Sequence, residues 1–235
     1  MTIRGLFIIV IGVTMFHRAS PQQNETIVVN PVKQNEQEVL KRIFQYAEFT
    51  PGTAFYKDGE IVNSKLNYNY FTNQIMFIDP KGDTLQLING GNFSKIVIST
   101  DTFYYHNKDF IQQISHYTSY NLLIKRSLEN IGSEKKGAYG AYSSNSAISN
   151  INTIVDNRSG TVNLLSDQNI TFAFKDSYFV SGKFQQYYPA NKKGISDLFG
   201  KNEKQLKEFL EKNNINFSKK EDLEKLIEYA HTVLK

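Results

Sequence analysis

The segment KLNYNYFTNQIMFIDPKGDTLQL, residues 65–87, decides the fold class because its side chains alternate in type. The apolar members of its first half are Leu66, Tyr68 and Tyr70, and the polar members are Lys65, Asn67 and Asn69. A period of two places these sets on opposite faces of an extended chain, so the pattern predicts a strand with one polar face. The apolar run Gln74–Ile78 predicts a central strand, and the Asp-Pro-Lys-Gly sequence after it predicts a turn.

The two-residue period continues on both sides of this segment. Asp58 and Gly59 stand between two short runs of strand-forming residues and predict a hairpin, since both tolerate the positive φ of a tight turn. Further strands are predicted at residues 84–88, 95–99, 103–106, 120–127, 151–155, 161–165 and 170–174. A helical segment is predicted over Asp109–His116, and a turn at Asp176 and Ser177 is predicted to precede a last strand.

Helices are predicted at both ends of this series. Residues 35–47 place apolar side chains on one helical face and begin with the spacing of a capping box. Residues 191–235 contain two more capping pairs, Asn202 with Gln205 and Ser218 with Glu221. Each pair opens a narrow apolar stripe that needs a covering surface, so we expect both helices to pack on the sheet. A separate C-terminal interaction module is the alternative.

The expected fold class is α+β, mainly β. We expect a curved antiparallel sheet, as a half-barrel or a sandwich, with an N-terminal helix and C-terminal helices packed on it. The expected segments are a signal peptide at 1–20, an exposed lead-in at 21–33, a β-rich domain at 34–190 and a C-terminal helical segment at 191–235.

The N-terminus has the pattern of an export signal. Arg4 precedes twelve uncharged residues, 5–16, which are fewer than the about 20 that a membrane span needs. Ala19 and Ser20 are small enough for a cleavage site, and an uncleaved anchor or a buried helix is the alternative. We therefore expect the mature chain in the periplasm, at the cell surface or outside the cell, without a transmembrane segment.

The composition excludes several functional classes. The chain has no cysteine, which excludes disulfides, a thiolate metal site and a cysteine nucleophile. Arg4 and Arg18 of the predicted leader are two of the 27 basic residues, which leaves 25 basic against 23 acidic residues. Nucleic-acid-binding proteins concentrate basic charge on one surface, so this balance predicts no nucleic-acid partner.

Three segments carry a resemblance to a protein family. They are KLNYNYFTNQIMFIDPKGDTLQL at residues 65–87, GAYGAY at 137–142, and the tail KKGISDLFG with FLEKNNINFSKKEDLEKLIEYA at 192–200 and 209–230. In these segments the chain resembles a family of uncharacterised, exported, β-rich proteins of Bacteroidota-type bacteria. The resemblance implies export and a β-rich body, and no activity comes with it.

The sequence predicts no catalytic residue, no metal and no cofactor. His106 and His116, with carboxylates nearby, are the best candidates for zinc ligands, but the nine residues between them match no recurrent ligand spacing. The chain also has no G-x-S-x-G nucleophile elbow and no glycine-rich loop of the kind that binds phosphates.

The polar face around Asn67 is the predicted ligand-binding surface, because Tyr and Asn combine flat contact area with adaptable hydrogen bonds. The candidate residues are Asn67, Asn69, Tyr68, Tyr70, Tyr139 and Tyr142, of which the last two could close over the surface. A sheet face that is merely exposed under a loop is the alternative reading.

These observations favour a non-enzymatic, exported binding or interaction protein of the cell envelope, with a small or apolar ligand or an envelope protein as partner. The alternative is a hydrolase-type enzyme with a dispersed site, which a carboxylate pair in a cleft or a Ser–His contact would favour. A third hypothesis is that the charged C-terminal helices bind a membrane-associated complex.

Overall fold

The computed structural model describes residues 25–30, 36–136, 142–145, 168–182, 186–200 and 203–233. Within these ranges the strands are β1 (Thr26–Val29), β2 (Thr50–Tyr56), β3 (Ile61–Asn69), β4 (Gln74–Ile78), β5 (Thr84–Gln86), β6 (Phe93–Ile98), β7 (Asp101–His106), β8 (Asp109–His116), β9 (Asn121–Lys136), β10 (Tyr142–Asn145), β11 (Gln168–Ser181) and β12 (Tyr187–Pro189). The helices are α1 (Glu36–Ile43), α2 (Lys192–Phe199), α3 (Glu203–Asn213) and α4 (Lys220–Val233). The mainly-β prediction is confirmed.

The strands form one antiparallel sheet. Its order is β1-β11-β9-β8-β7-β6-β2-β3-β4-β5, with β10 paired to β9 and β12 paired to β11. β1 and β5 lie at opposite ends of this order, so the sheet is open and is not a closed barrel. Most neighbours in the sheet are also neighbours in sequence, as expected where short turns join antiparallel strands.

Three clusters of buried side chains form the core. The first joins Leu122 of β9 to Leu226 of α4, so the C-terminal helices pack on the sheet, as predicted. The second joins Ile43 of α1 to buried side chains of β1, β4, β9 and β11. The third fills the face that β3, β6, β7 and β8 share, and its Phe103 and Phe110 have no exposed surface.

The segment Asp109–His116 is a strand, and its prediction as a helical segment is wrong. β8 pairs with β7 on one side and with β9 on the other. Phe110 and Ile111 are adjacent in sequence and both are buried, so the side chains do not alternate between core and water. A strand that is covered on both faces loses the two-residue period, which is the signal that the prediction needed.

Asp176 and Ser177 lie inside β11, and the prediction of a turn there is wrong. The register places Asp176 opposite Arg126 of β9. The Arg126 Nε lies 3.4 Å from the Asp176 Oδ1, so a cross-strand ion pair keeps the carboxylate in the strand. Burial is the main influence on this carboxyl group and raises its pKa.

Part of the predicted exposed lead-in is a strand of the sheet. β1 pairs with β11, and its Ile27 and Val29 are buried, so the prediction of exposure is wrong for this segment. The strands predicted at residues 151–155 and 161–165, and the leader at 1–20, lie outside the described residues.

Candidate functional site

Asn67 and Asn69 are buried, with 1% and 0% of their surface exposed, although the sequence predicts a polar face there. The Asn67 Oδ1 accepts the Tyr46 N–H at 3.1 Å, and its Nδ2 donates to the Tyr46 carbonyl at 2.8 Å. Asn69 accepts two N–H groups of the following turn. The prediction of exposure is wrong for both because the chain after α1 runs along this half of β3, where the Gln45 N–H donates to the Tyr68 carbonyl.

Tyr68 and Tyr70 are also parts of the interior. Only 3% of Tyr68 is exposed, and its hydroxyl donates to the Phe110 carbonyl at 3.1 Å. Burial raises the pKa of Tyr68 well above its ordinary value and raises the pKa of Tyr70 to about 12. Tyr70 packs edge-on against Phe174 at 5.1 Å. The two tyrosines therefore join strands to each other.

The remaining two candidates are only partly within the described chain. Tyr139 lies outside the described residues. Tyr142 begins β10, where its backbone lies opposite Lys136 of β9. The backbone of Tyr142 therefore belongs to a strand that pairs with β9 and not with β3.

Sequence reasoning missed Asn73, which fills the gap where β8 and β9 separate. Its Nδ2 donates to the Arg126 carbonyl and to the Tyr68 hydroxyl, both at 2.9 Å. Its Oδ1 accepts the Ser127 hydroxyl, and its carbonyl accepts the Phe110 N–H, also at 2.9 Å. A φ of 52° at this position favours Asn over most residues, so an Asn in a short hairpin loop was the available signal.

An open groove of about 480 Å³ crosses three neighbouring strands, β3, β2 and β6. It is lined by Pro51, Gly52, Thr53, Asn63, Ser64, Lys65, Val97 and Ser99. Strand register arranges six of them in two rows across the strands, Asn63–Thr53–Val97 and Lys65–Pro51–Ser99. The rows form the two sides of the groove, so an elongated ligand would lie across the strands.

Local contacts fix the shape of this groove. Gly52 lies on β2 between the two rows, and a Cβ there would lie 2.8 Å from both the Leu66 Cδ1 and the Val97 carbonyl oxygen. The Thr53 hydroxyl donates to the Asn63 Oδ1 at 2.7 Å, which orients the amide at the rim. The contact at Gly52 shows that the core packs closely against the opposite face of β2, and the bond from Thr53 shows that the groove has at least one held polar side chain.

A third row, Ile61–Phe55–Lys95, continues the same face next to the groove. The Lys95 Nζ lies over the Phe55 ring, 5.0 Å from its centre. Lys65 and Lys95 are the charged residues among these nine positions, and both are exposed. This described part of the face is therefore positively charged, and its polar groups are hydroxyls, one amide and two ammonium groups.

The two histidines considered as zinc ligands lie at opposite ends of β8. His106 faces Asp109 at its beginning, and His116 ends it. Their rings hydrogen-bond to Asn107 at 2.9 Å and to Asn121 at 2.6 Å. Burial lowers the pKa of His106. No group of three or more His, Asp or Glu side chains in the described ranges is placed to hold a metal ion.

Comparison with known proteins gives no relative. No family model, no curated protein and no solved structure matches the chain. Among the described residues, no helix combines the length and the apolar character that crossing a bilayer requires.

Proposed function

We propose that the chain is a non-enzymatic binding protein of the cell envelope, and that its ligand occupies the groove across β3, β2 and β6. The observation that carries the proposal is the groove itself, which is open and is lined by residues with hydroxyl, amide and ammonium groups. Binding sites commonly combine a concave surface with a few convergent polar groups.

The chemistry of the lining favours binding over catalysis. The eight lining residues include neither a carboxylate nor a histidine. Thr53, Ser64 and Ser99 therefore have no histidine or carboxylate base beside them in the lining. A hydrolase-type enzyme would need these groups in the cleft, and none of the lining residues supplies them.

The location and the finer fold belong to the same proposal. The charged residue Arg4 and the uncharged stretch 5–16 support export. We take the open sheet to be curved as a half-barrel, because the turn after β3 returns to β8 and β9: the Leu128 N–H donates to the Tyr70 carbonyl at 3.0 Å. In this arrangement the third cluster covers one face of β2, β3 and β6, and the groove lies on the opposite face of these three strands.

The test is a groove-filling substitution combined with a panel of ligand classes. Thr53→Tyr adds a large side chain to the middle of the Asn63–Thr53–Val97 row that lines the groove, and keeps a residue that favours strands. Thr84→Tyr on β5 is the matched control, since the same substitution lies outside the groove lining. Binding of neutral and acidic oligosaccharides, fatty acids and short peptides is measured by isothermal titration calorimetry for the three proteins.

We expect one class to bind the unmodified protein and the Thr84→Tyr control equally, and Thr53→Tyr at least tenfold more weakly. A melting curve for each variant checks that it is folded. A ligand that binds Thr53→Tyr as tightly as the unmodified protein would place the site elsewhere, and failure of all classes to bind would contradict the proposal.

A further inference from the structure

We infer that the ligand of this groove is an acidic polysaccharide, a hydroxyl-rich chain that carries carboxylate or sulfate groups. This inference rests on the proposed function, since it names the ligand class of the same groove. The juxtaposition that carries it is a polar groove that has Lys65 in its lining and Lys95 in the adjoining row of the same face.

Charge complementarity indicates an anionic ligand. Lys65 belongs to one outer row and Lys95 to the other, and none of the nine positions carries a carboxylate. Two acidic residues near this face have hydrogen-bond partners within the fold: Asp58 accepts the Glu60 N–H at 3.0 Å in the hairpin turn, and Asp101 accepts the Tyr46 hydroxyl. An anion in the groove meets the Lys65 ammonium group in the lining, and the Lys95 ammonium group lies in the adjoining row.

The polar groups of the groove indicate a ligand rich in hydroxyls. On this face the lysines are accompanied by the Thr53 hydroxyl, the Asn63 amide and the residue Ser99. Hydroxyls and amides both donate and accept hydrogen bonds, which suits sugar hydroxyls that do the same. The Phe55 ring next to the groove adds a flat apolar surface, which suits the apolar face of a sugar ring.

The backbone of the floor argues against an extended peptide. Peptides commonly bind sheets by adding a strand to a free edge. β2 pairs with β3 on one side and with β6 on the other, so its backbone has no free edge beneath the groove. A ligand on this face meets side chains, so the recognition of the ligand depends on hydroxyl, amide and ammonium groups.

The shape of the groove indicates a polymer. Sites for small molecules usually enclose most of the surface of the ligand, whereas this groove is open. Adjacent strands lie about 4.8 Å apart, so the path from β3 to β6 is on the order of 10 Å. A short stretch of a longer chain fits such a path, and the rest of the chain continues beyond it.

The experiment compares glycan pairs that differ in charge and share a backbone. The probes are polygalacturonate with its fully methyl-esterified form, and chondroitin sulfate with desulfated, methyl-esterified chondroitin. Affinity is measured by titration calorimetry at low and at physiological salt. The variants are Lys65→Met with Lys95→Met together, the groove-filling Thr53→Tyr, and a control with Lys207→Met and Lys212→Met on α3, which removes the same charge from the surface of a helix.

We expect at least one acidic glycan to bind at least tenfold more tightly than its ester, and more weakly as salt increases. The Lys65/Lys95 double variant and Thr53→Tyr should each lose at least tenfold in affinity, and the α3 control should lose none. Equal binding of acid and ester that Thr53→Tyr abolishes would overturn the acidic ligand and leave the proposed function intact.

Two further results would overturn the inference. One is an equal loss of affinity in the α3 control, because binding would then be a general attraction to basic protein. The other is an absence of binding to every glycan pair. The titrations with fatty acids and short peptides described above then test the proposed function independently of this inference.

Discussion

Asn73→Asp changes one heavy atom of a side chain that joins two strands, β3 through Tyr68 and β9 through Arg126 and Ser127. The two oxygens of a carboxylate can still accept the Ser127 hydroxyl, but they cannot donate to the Arg126 carbonyl or to the Tyr68 hydroxyl. Asp also tolerates the positive φ of this position, so the backbone conformation is not the variable.

The expected loss of stability follows from the burial of this site. Asn73 is 8% exposed, so an unpaired Arg126 carbonyl facing a new carboxylate gains little from water. A buried polar group that loses its partner costs about 1–3 kcal/mol, and a buried charge costs more. We therefore expect Asn73→Asp to lower the free energy of unfolding by about 3 kcal/mol at pH 8.

The pH dependence separates this cause from a general loss of packing. Burial and facing carbonyl groups disfavour the charged form, so the pKa of the introduced carboxyl lies above its unfolded value of about 3.9. The protonated form can donate to the Arg126 carbonyl. Its contribution to stability is therefore present below the unfolded pKa and is lost as pH rises through the folded pKa.

The assay is urea unfolding at pH 4 and pH 8, for the unmodified protein and the variant. Circular dichroism and tyrosine fluorescence both report unfolding, since the chain has 14 tyrosines and no tryptophan. The reasoning is refuted if the variant is as stable as the unmodified protein at pH 8, or if the destabilisation is the same at both pH values.

Three other predictions test the structure elsewhere. Lys108 has a φ of 72°, so Lys108→Gly should raise the free energy of unfolding by about 1 kcal/mol in urea unfolding. A Cβ at Gly194 would lie 2.0 Å from the Pro189 carbonyl oxygen, so Gly194→Ala should lower the melting temperature sharply. Gly91→Ala, where a Cβ would have no atom within 4 Å, should not. Burial raises the pKa of Tyr70 from 10.0 to about 12. The stabilising contribution of the neutral Tyr70 phenol is therefore present below pH 10 and is lost between about pH 10 and 12. Tyr70→Phe should lose less stability over that pH range than the unmodified protein, which alkaline unfolding followed by circular dichroism measures.

Features that depend on a few adjacent residues were predictable from the sequence. The hairpin turn between β2 and β3 needs a positive φ, and Gly59 supplies it at 97°. The turn after β4 depends on Asp79, whose Oδ1 accepts the N–H groups of Lys81 and Asp83 at 2.9 and 2.8 Å. Both signals are local, because the residue that enables the turn lies within it.

Features that depend on distant segments were not predictable in this way. The Asn73 Nδ2 donates to Arg126, which is 53 positions further along the chain. The sequence of β8 lacks the alternation of apolar and polar residues because other parts of the fold bury both faces of this strand, as Phe110 and Ile111 show. The period of the hydrophobic residues in the sequence identifies which side chains can be buried, and only the packed structure shows which segment covers them.

The candidate site illustrates this limit within a single strand. Asn63, Lys65, Asn67 and Asn69 alternate on one face of β3, and the sequence treats that face as uniform. The segment after α1 covers its second half, where Asn67 bonds to the backbone of Tyr46. It leaves Asn63 and Lys65 exposed, and these two line the groove. The polar face of β3 therefore does contribute to the candidate site, but its exposed residues are Asn63 and Lys65, and the predicted residues Asn67 and Asn69 are covered. An Asn whose donors and acceptors are paired with backbone stabilises the fold, whereas one at an open rim can bind a ligand.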